Sequence, residues 1–195
     1  TLEEVIEVME KSYARQKSVV RLHTGDPTIY GAIREQMDEL DKRGITYQVV
    51  PGVSSFTGAC AAIGKEFTLP GVSQTVILTR MEGRTPVPEK EDLELLASHG
   101  ASMAIFLSVK EMEKVADKLA RGYGRWDVPV AVVYKATWED QKIVRGTLRD
   151  IGERVREEGI EKTAQILVGD FIEGSYDRSL LYDPGFSHMY RGTKE

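Results

Sequence analysis

Ser18-Val-Val-Arg-Leu-His-Thr24, halted by Gly25-Asp26-Pro27 and followed by apolar residues at Ile29, Ile33, Met37 and Leu40, decides the fold class. The first run is short and apolar, as a buried strand is; the second recurs at helical spacing. That helix ends at Lys42-Arg43-Gly44, where a cationic last turn meets a glycine stop. Upstream, Leu2, Val5, Ile6, Met9 and Tyr13 form one apolar helical stripe. Downstream the alternation repeats, with strands predicted over 45–50, 74–79, 103–107, 128–134 and 165–171. Helices are predicted from Ser54 or Ser55 to Gly64 and over 90–99, 110–121 and 148–158, and Lys142 to Gly146 reads as a hairpin partner. Strand and helix taking turns predict an α/β architecture with largely parallel sheets and an antiparallel pairing around Gln141. The sharpest break, Phe67-Thr-Leu-Pro-Gly-Val-Ser73, divides the chain into an N-terminal α/β domain, 1–71, and a C-terminal one, 72–195, with an irregular tail from Tyr176.

The whole chain is 195 residues, 41% apolar and 29% charged, enough to bury a core and unlike a disordered or low-complexity polymer. One cysteine, Cys60, allows no internal bridge and suits a reducing compartment. The charge, 26 basic against 31 acidic residues or −5, lacks the concentrated basic excess of a general nucleic-acid binder. No run approaches the ~20 apolar residues that cross a bilayer, and Thr-Leu-Glu-Glu is no signal segment, so the reading is a soluble cytoplasmic protein. A start without Met, inside an amphipathic helix, raises the expectation of a piece of a longer protein. His23, His99 and His188 stand far apart, and no metal-ligand spacing exists.

Four loops lie where strands end and helices begin, the edge at which open α/β sheets bind ligands. In Thr24-Gly25-Asp26-Pro27, Gly25 lets a ligand approach the backbone and Asp26 offers a carboxylate to ribose hydroxyls or a cation. The plainer alternative is that Asp26 caps the helix and Gly25 makes the turn. Pro51-Gly52-Val53-Ser54-Ser55 offers free amides and hydroxyls to an anion, or one ordinary serine cap. In the loop from Thr79 to Glu89, Arg80 and Arg84 can grip carboxylates bidentately, or sit in a solvated loop. Lys135-Ala136-Thr137-Trp138 follows a strand as well, with a Trp-covered turn as its rival. No Gly-x-Gly-x-x-Gly or P-loop pattern occurs, and no acid-base pair is visible.

Together these segments resemble the tetrapyrrole methylase family. The resemblance rests on Val20-Arg-Leu-His-Thr-Gly-Asp-Pro-Thr-Ile-Tyr-Gly-Ala-Ile33, Val49-Val-Pro-Gly-Val-Ser-Ser55, Gln74-Thr-Val-Ile-Leu-Thr-Arg-Met-Glu-Gly-Arg-Thr-Pro-Val-Pro-Glu89 and Val132-Val-Tyr-Lys-Ala-Thr-Trp138, and it spans nearly the whole chain. The run from Thr79 to Glu89 points within the family to the C-methylases of corrinoid (vitamin B12) biosynthesis. The resemblance implies two α/β domains with S-adenosyl-L-methionine in the cleft between them, a tetrapyrrole (precorrin) substrate and a homodimer, with neither nucleic acid nor membrane as partner. It implies Thr24, Gly25, Asp26, Ile29, Ser54 and Ser55 as cofactor contacts of the first domain, and Leu107, Ala136 and Thr137 as those of the second. Arg80, Arg84 and Lys135 are the candidates, by charge and placement, for the macrocycle's carboxylates. The family's opening strand and Gly-x-Gly-Pro-Gly-Asp loop are not in this sequence, so the first domain is expected to be truncated. Two alternatives stand beside this reading: methylation at another tetrapyrrole position, and a non-catalytic cofactor-binding or assembly fragment.

Overall fold

The computed structural model describes residues 1–183 and 185–187; His188 and the end of the predicted tail lie outside the described residues. The chain has the mixed α/β architecture expected, in two compact units, Thr1–Thr57 and Gly58–Glu195. The units divide inside α3 (Ser55–Ala62), earlier than the composition break at Phe67–Ser73, which is a turn closed by a bridge between Leu69 and Ser73.

In the first unit, α1 (Leu2–Ala14) starts at Thr1, whose hydroxyl accepts from the Glu4 amide at 3.3 Å in a capping box. Its stripe buries Ile6 and Met9 against Leu40 of α2 (Arg34–Lys42) and Ile45. Arg43 adds ion pairs to Glu39 at 2.5 Å and to Glu10 at 3.6 Å. The predicted strands over 18–24 and 45–50 are not formed as strands. Both stretches belong to no ladder, and Val20 and Leu22 are each 78% exposed, the reverse of a buried strand. Extended backbone becomes a strand only when a neighbour lies about 4.8 Å away to receive its hydrogen bonds. Among the described residues neither stretch has one; Val19 and Val20 instead line a shallow groove of about 360 Å³ with Val5, Val8 and Met9.

The second unit holds one five-stranded sheet of order β1-β2-β5-β3-β4: β1 (Val76–Arg80), β2 (Ser102–Phe106), β3 (Pro129–Tyr134), β4 (Lys142–Thr147) and β5 (Ala164–Val168). Helices α4 (Leu93–Ala97), α5 (Met112–Tyr123) and α6 (Ile151–Glu157) supply Leu93, Val115, Leu119 and Val155 to a core with Met103, Ile105, Val130, Val132 and Ile166. Gly122 permits α4 and α5 to touch, since a Cβ there would lie 2.3 Å from the Glu94 carbonyl oxygen. The expectation of largely parallel sheets is corrected: among the described residues only β1 and β2 pair in parallel, and the three other pairings are antiparallel. The cause is the β3–β4 hairpin. It reverses the chain, and the crossover through α6 keeps that direction, so β5 enters between β2 and β3 antiparallel to both. One edge of the sheet therefore gathers the carboxyl ends of β1, β2 and β3 with the amino ends of β4 and β5.

Candidate functional site

The first unit brings two of the predicted loops together. Asp26 is the link: its Oδ1 accepts from the Thr28 amide at 2.8 Å and from the Thr28 hydroxyl, and its Oδ2 accepts from the Gly52 amide at 3.0 Å. The glycines make the approach possible. Gly25 sits at φ +65°, and a Cβ on Gly52 would stand 2.1 Å from the Gly25 carbonyl oxygen, so only glycine fits there. A Cβ on Gly25 would in turn reach Ser54 Cα and the Ser55 amide nitrogen at 3.6 Å. Thr24, Gly25, Asp26, Ser54 and Ser55 are thus one cluster, with Ser54 buried and Thr24 and Ser55 exposed. Ile29 follows in the turn that Asp26 organises, its amide donating to the Asp26 carbonyl at 3.3 Å.

The reading of Asp26 as a helix cap is corrected here. The next helix begins only at Arg34, so Asp26 caps the local Thr28 turn and staples it to the Pro51–Val53 loop. Hydrogen bonds from the Thr28 hydroxyl and amide, then from Gly52, hold its carboxyl below the ordinary aspartate range. A carboxylate offers about four acceptor positions. Three are taken, which leaves an ionised oxygen able to accept from a ligand hydroxyl.

In the second unit the predicted residues gather on the sheet edge just described. Leu107, directly after β2, has φ +56° and is 77% exposed, an apolar side chain held outward on strained backbone. Lys135 and Thr137, after β3, have φ +46° and +73°, and Thr163, before β5, has φ +56°. The Lys135 amide donates to the Thr163 carbonyl at 2.9 Å, bracing the loop after β3 against the one before β5, and the Thr137 amide closes its own loop by donating to Gln141 Oε1 at 2.8 Å. Ala136 lies at the turn between them, half-buried. Three residues on this edge carry no signal in the sequence. Ser108 is buried, accepts from the Met81 amide at 2.9 Å and donates to the Phe106 carbonyl at 2.7 Å, tying the ends of β1 and β2. Gln165, also buried, donates to the Ile105 carbonyl at 3.0 Å. Thr163 shows only in its backbone angle. Polar residues at strand ends are common, so nothing short of the fold distinguishes these three.

The three cations predicted for substrate fare differently. Lys135 is paired with Asp140 and lies 5.1 Å from the Tyr134 ring and 5.3 Å from that of Trp138; the Asp140 partner and then Tyr134 raise its pKa. Arg80 donates to main-chain carbonyls of its own loop. Arg84 is exposed, with no ion pair among the described residues. A separate crevice of about 330 Å³ between the starts of α5 and the end of α6 touches none of the predicted residues, and Arg156 there is paired with Glu113. Burial and then Glu66 push the Cys60 thiol up to about 11, so it stays protonated at neutral pH. No helix among the described residues is long and apolar enough to cross a membrane.

Residues 1–152 match the family model of Tetrapyrrole (Corrin/Porphyrin) Methylases. A cobalt-precorrin-4 C(11)-methyltransferase of Methanocaldococcus jannaschii is 58% identical over 191 residues, covering 97% of this chain and 74% of that protein. A precorrin-4 C(11)-methyltransferase of Pseudomonas aeruginosa is 48% identical over 193 residues, covering 97% of this chain and 76% of that protein. Among solved structures, the X-ray structure of cobalt precorrin-4 methyltransferase, a cobalamin biosynthetic enzyme, superimposes with a TM-score of 0.87 at 48% identity over 89% of this chain and 72% of that one.

Proposed function

Because the chain belongs to the tetrapyrrole methylase family, we infer that it is an S-adenosyl-L-methionine-dependent C-methyltransferase of corrinoid (vitamin B12) biosynthesis, acting at C11 of precorrin-4 or of its cobalt complex. The observation that carries this reading is the identity to C11-methyltransferases over nearly the whole chain. The proposed residues suit the chemistry of the donor. Asp26 keeps an ionised acceptor for ribose hydroxyls, and the exposed Leu107 offers apolar surface to the adenine or the methionine chain. Thr24, Gly25, Ile29, Ser54, Ser55, Ala136 and Thr137 are the further contacts we propose.

Bound S-adenosyl-L-methionine supplies a sulfonium methyl open to displacement by a nucleophilic ring carbon. The protein's part is alignment. Holding two reactants in a near-attack geometry can remove ~7–11 kcal/mol from a barrier, which is why a positioning enzyme needs no nucleophile of its own. The Asp26 turn and the loops after β2 and β3 are each tied to another segment by a hydrogen bond, through Gly52, through Met81 onto Ser108, and through Lys135 onto Thr163, which suits them to that task. Arg84 is the cation offered to a macrocycle carboxylate. We further propose a cytoplasmic homodimer, testable by sedimentation equilibrium.

Titration calorimetry with S-adenosylhomocysteine tests the donor site. The chain is expected to bind it, and Asp26→Ala to weaken binding more than about tenfold through loss of a charge-assisted acceptor. Unchanged affinity in Asp26→Ala would return Asp26 to a purely structural role. Incubation with precorrin-4 and with its cobalt complex, followed by NMR location of the new methyl, tests the reaction.

A further inference from the structure

Arg80 and Arg84 look equivalent by charge, and the structure gives them opposite tasks. Arg80 ends β1 and is half-buried. One terminal nitrogen of its guanidinium donates to the Thr85 carbonyl at 3.1 Å and the Met81 carbonyl at 3.4 Å, and the other donates to the Pro86 carbonyl at 2.8 Å. The fork thus closes a loop that has few other hydrogen bonds among the described residues. Pro86 and Pro88 have no N–H to give, and inside the loop the Gly83 amide meets the Thr85 carbonyl at a long 3.4 Å. The base of the loop is fixed separately, by the Met81 amide donating to buried Ser108. At its tip, Arg84 is exposed and without an ion pair among the described residues.

We propose that Arg80 is a positioning residue, a strut whose two-armed guanidinium folds the segment 81–86 and thereby presents Arg84 to an anionic substrate. The purpose of the strut rests on the reading above that Arg84 meets a macrocycle carboxylate; the strut itself does not. An end-on bidentate grip on a carboxylate uses both terminal nitrogens of a guanidinium. Both of these in Arg80 already donate, to Thr85 and Pro86, so an end-on grip on substrate would release the loop that Arg80 shapes. Lysine cannot replace it, because a point-like ammonium does not span two carbonyls in a fixed plane.

The bond between Arg84 and Thr85 is a tryptic site, so the loop reports on itself. Limited trypsinolysis read by mass spectrometry is expected to cut after Arg84 at least about tenfold faster in Arg80→Ala than in the unaltered chain. Arg80→Lys, which keeps the charge and loses the fork, is expected to be nearly as labile while still binding S-adenosylhomocysteine within about twofold, which shows it folded. Steady-state methylation is expected to show a raised KM for the tetrapyrrole with little change in kcat for Arg80→Ala and for Arg84→Ala. The double variant should be no worse than Arg80→Ala, since both act through one loop. Unchanged cleavage in both Arg80 variants, additive KM effects, or wild-type behaviour of Arg80→Lys would overturn the strut. Faster cleavage in the Arg80 variants with an unchanged KM in Arg84→Ala supports the strut and overturns the carboxylate role of Arg84.

Discussion

The two compact units spend the same kind of apolar sequence differently. Residues 18–24 and 102–106 both carry the apolar residues of a predicted strand, yet Ser102–Phe106 is buried at every position while Val20 and Leu22 stand open. The difference is the neighbour. β2 has β1 on one side and β5 on the other, and α5 covers it, whereas 18–24 has no ladder partner among the described residues. Apolar patterning announces a wish to be buried; only topology says whether it is met. The first unit relies on a cluster of Ile6, Met9, Leu40 and Ile45 and on the Asp26 staple, and the second on a sheet sealed by three helices.

The contrast is best attacked in the core. Leu167→Ala, at a fully buried position of β5, is expected to cost about 2–5 kcal/mol in guanidinium unfolding, and Ile6→Ala, in the four-residue cluster, a value at the lower end of that range. A larger cost for Ile6→Ala would break the comparison. Next in size, Gly122→Ala forces a Cβ against the Glu94 carbonyl and Ala97, and should lower stability by about 1–3 kcal/mol despite a better helix former at that site. Its counterpart in the first unit, Gly52→Ala, clashes with the Gly25 carbonyl and should show in S-adenosylhomocysteine affinity, weakened about tenfold or more.

Acid gives a gentler probe. Because hydrogen bonds from Thr28 and Gly52 depress the Asp26 pKa, its contribution is complete above the unfolded value of about 3.9 and is lost as pH falls through the lower folded value. The Gly52 and Thr28 amide resonances should therefore move together below about pH 4 and stay still between pH 5 and 8. Movement of Gly52 without Thr28 would mean that the staple is not one unit. Smallest of all, Lys142→Ala removes an exposed pair with Glu158 at 2.9 Å and should change stability by less than about 1 kcal/mol in the same unfolding assay.

In the first unit the two predicted strands are not formed, whereas the alternation was legible in the second, whose strands and long helices lie within a few residues of where periodicity places them. Their directions were not, because a hairpin at Gln141 reverses every later strand and no single residue of β5 records it. The loops were legible as loops, since Gly25, Pro27, Pro51 and Gly52 punctuate strongly. Their union was not, because Asp26 and Gly52 are 26 positions apart and join through one amide. Charge identified Arg80, Arg84 and Lys135 as a set. It could not say that Arg80 faces carbonyls and Lys135 faces Asp140, as partners belong to the fold and not to the residue type.

The left-handed backbone at Leu107, Lys135, Thr137 and Thr163 has a consequence for engineering. Each such residue costs of order 1–3 kcal/mol, so glycine at any of the four would relieve strain and look like an easy gain to anyone screening for heat resistance. At Leu107 that gain would erase the exposed side chain, so under the contacts we propose thermal robustness would come at the expense of the shape offered to the methyl donor.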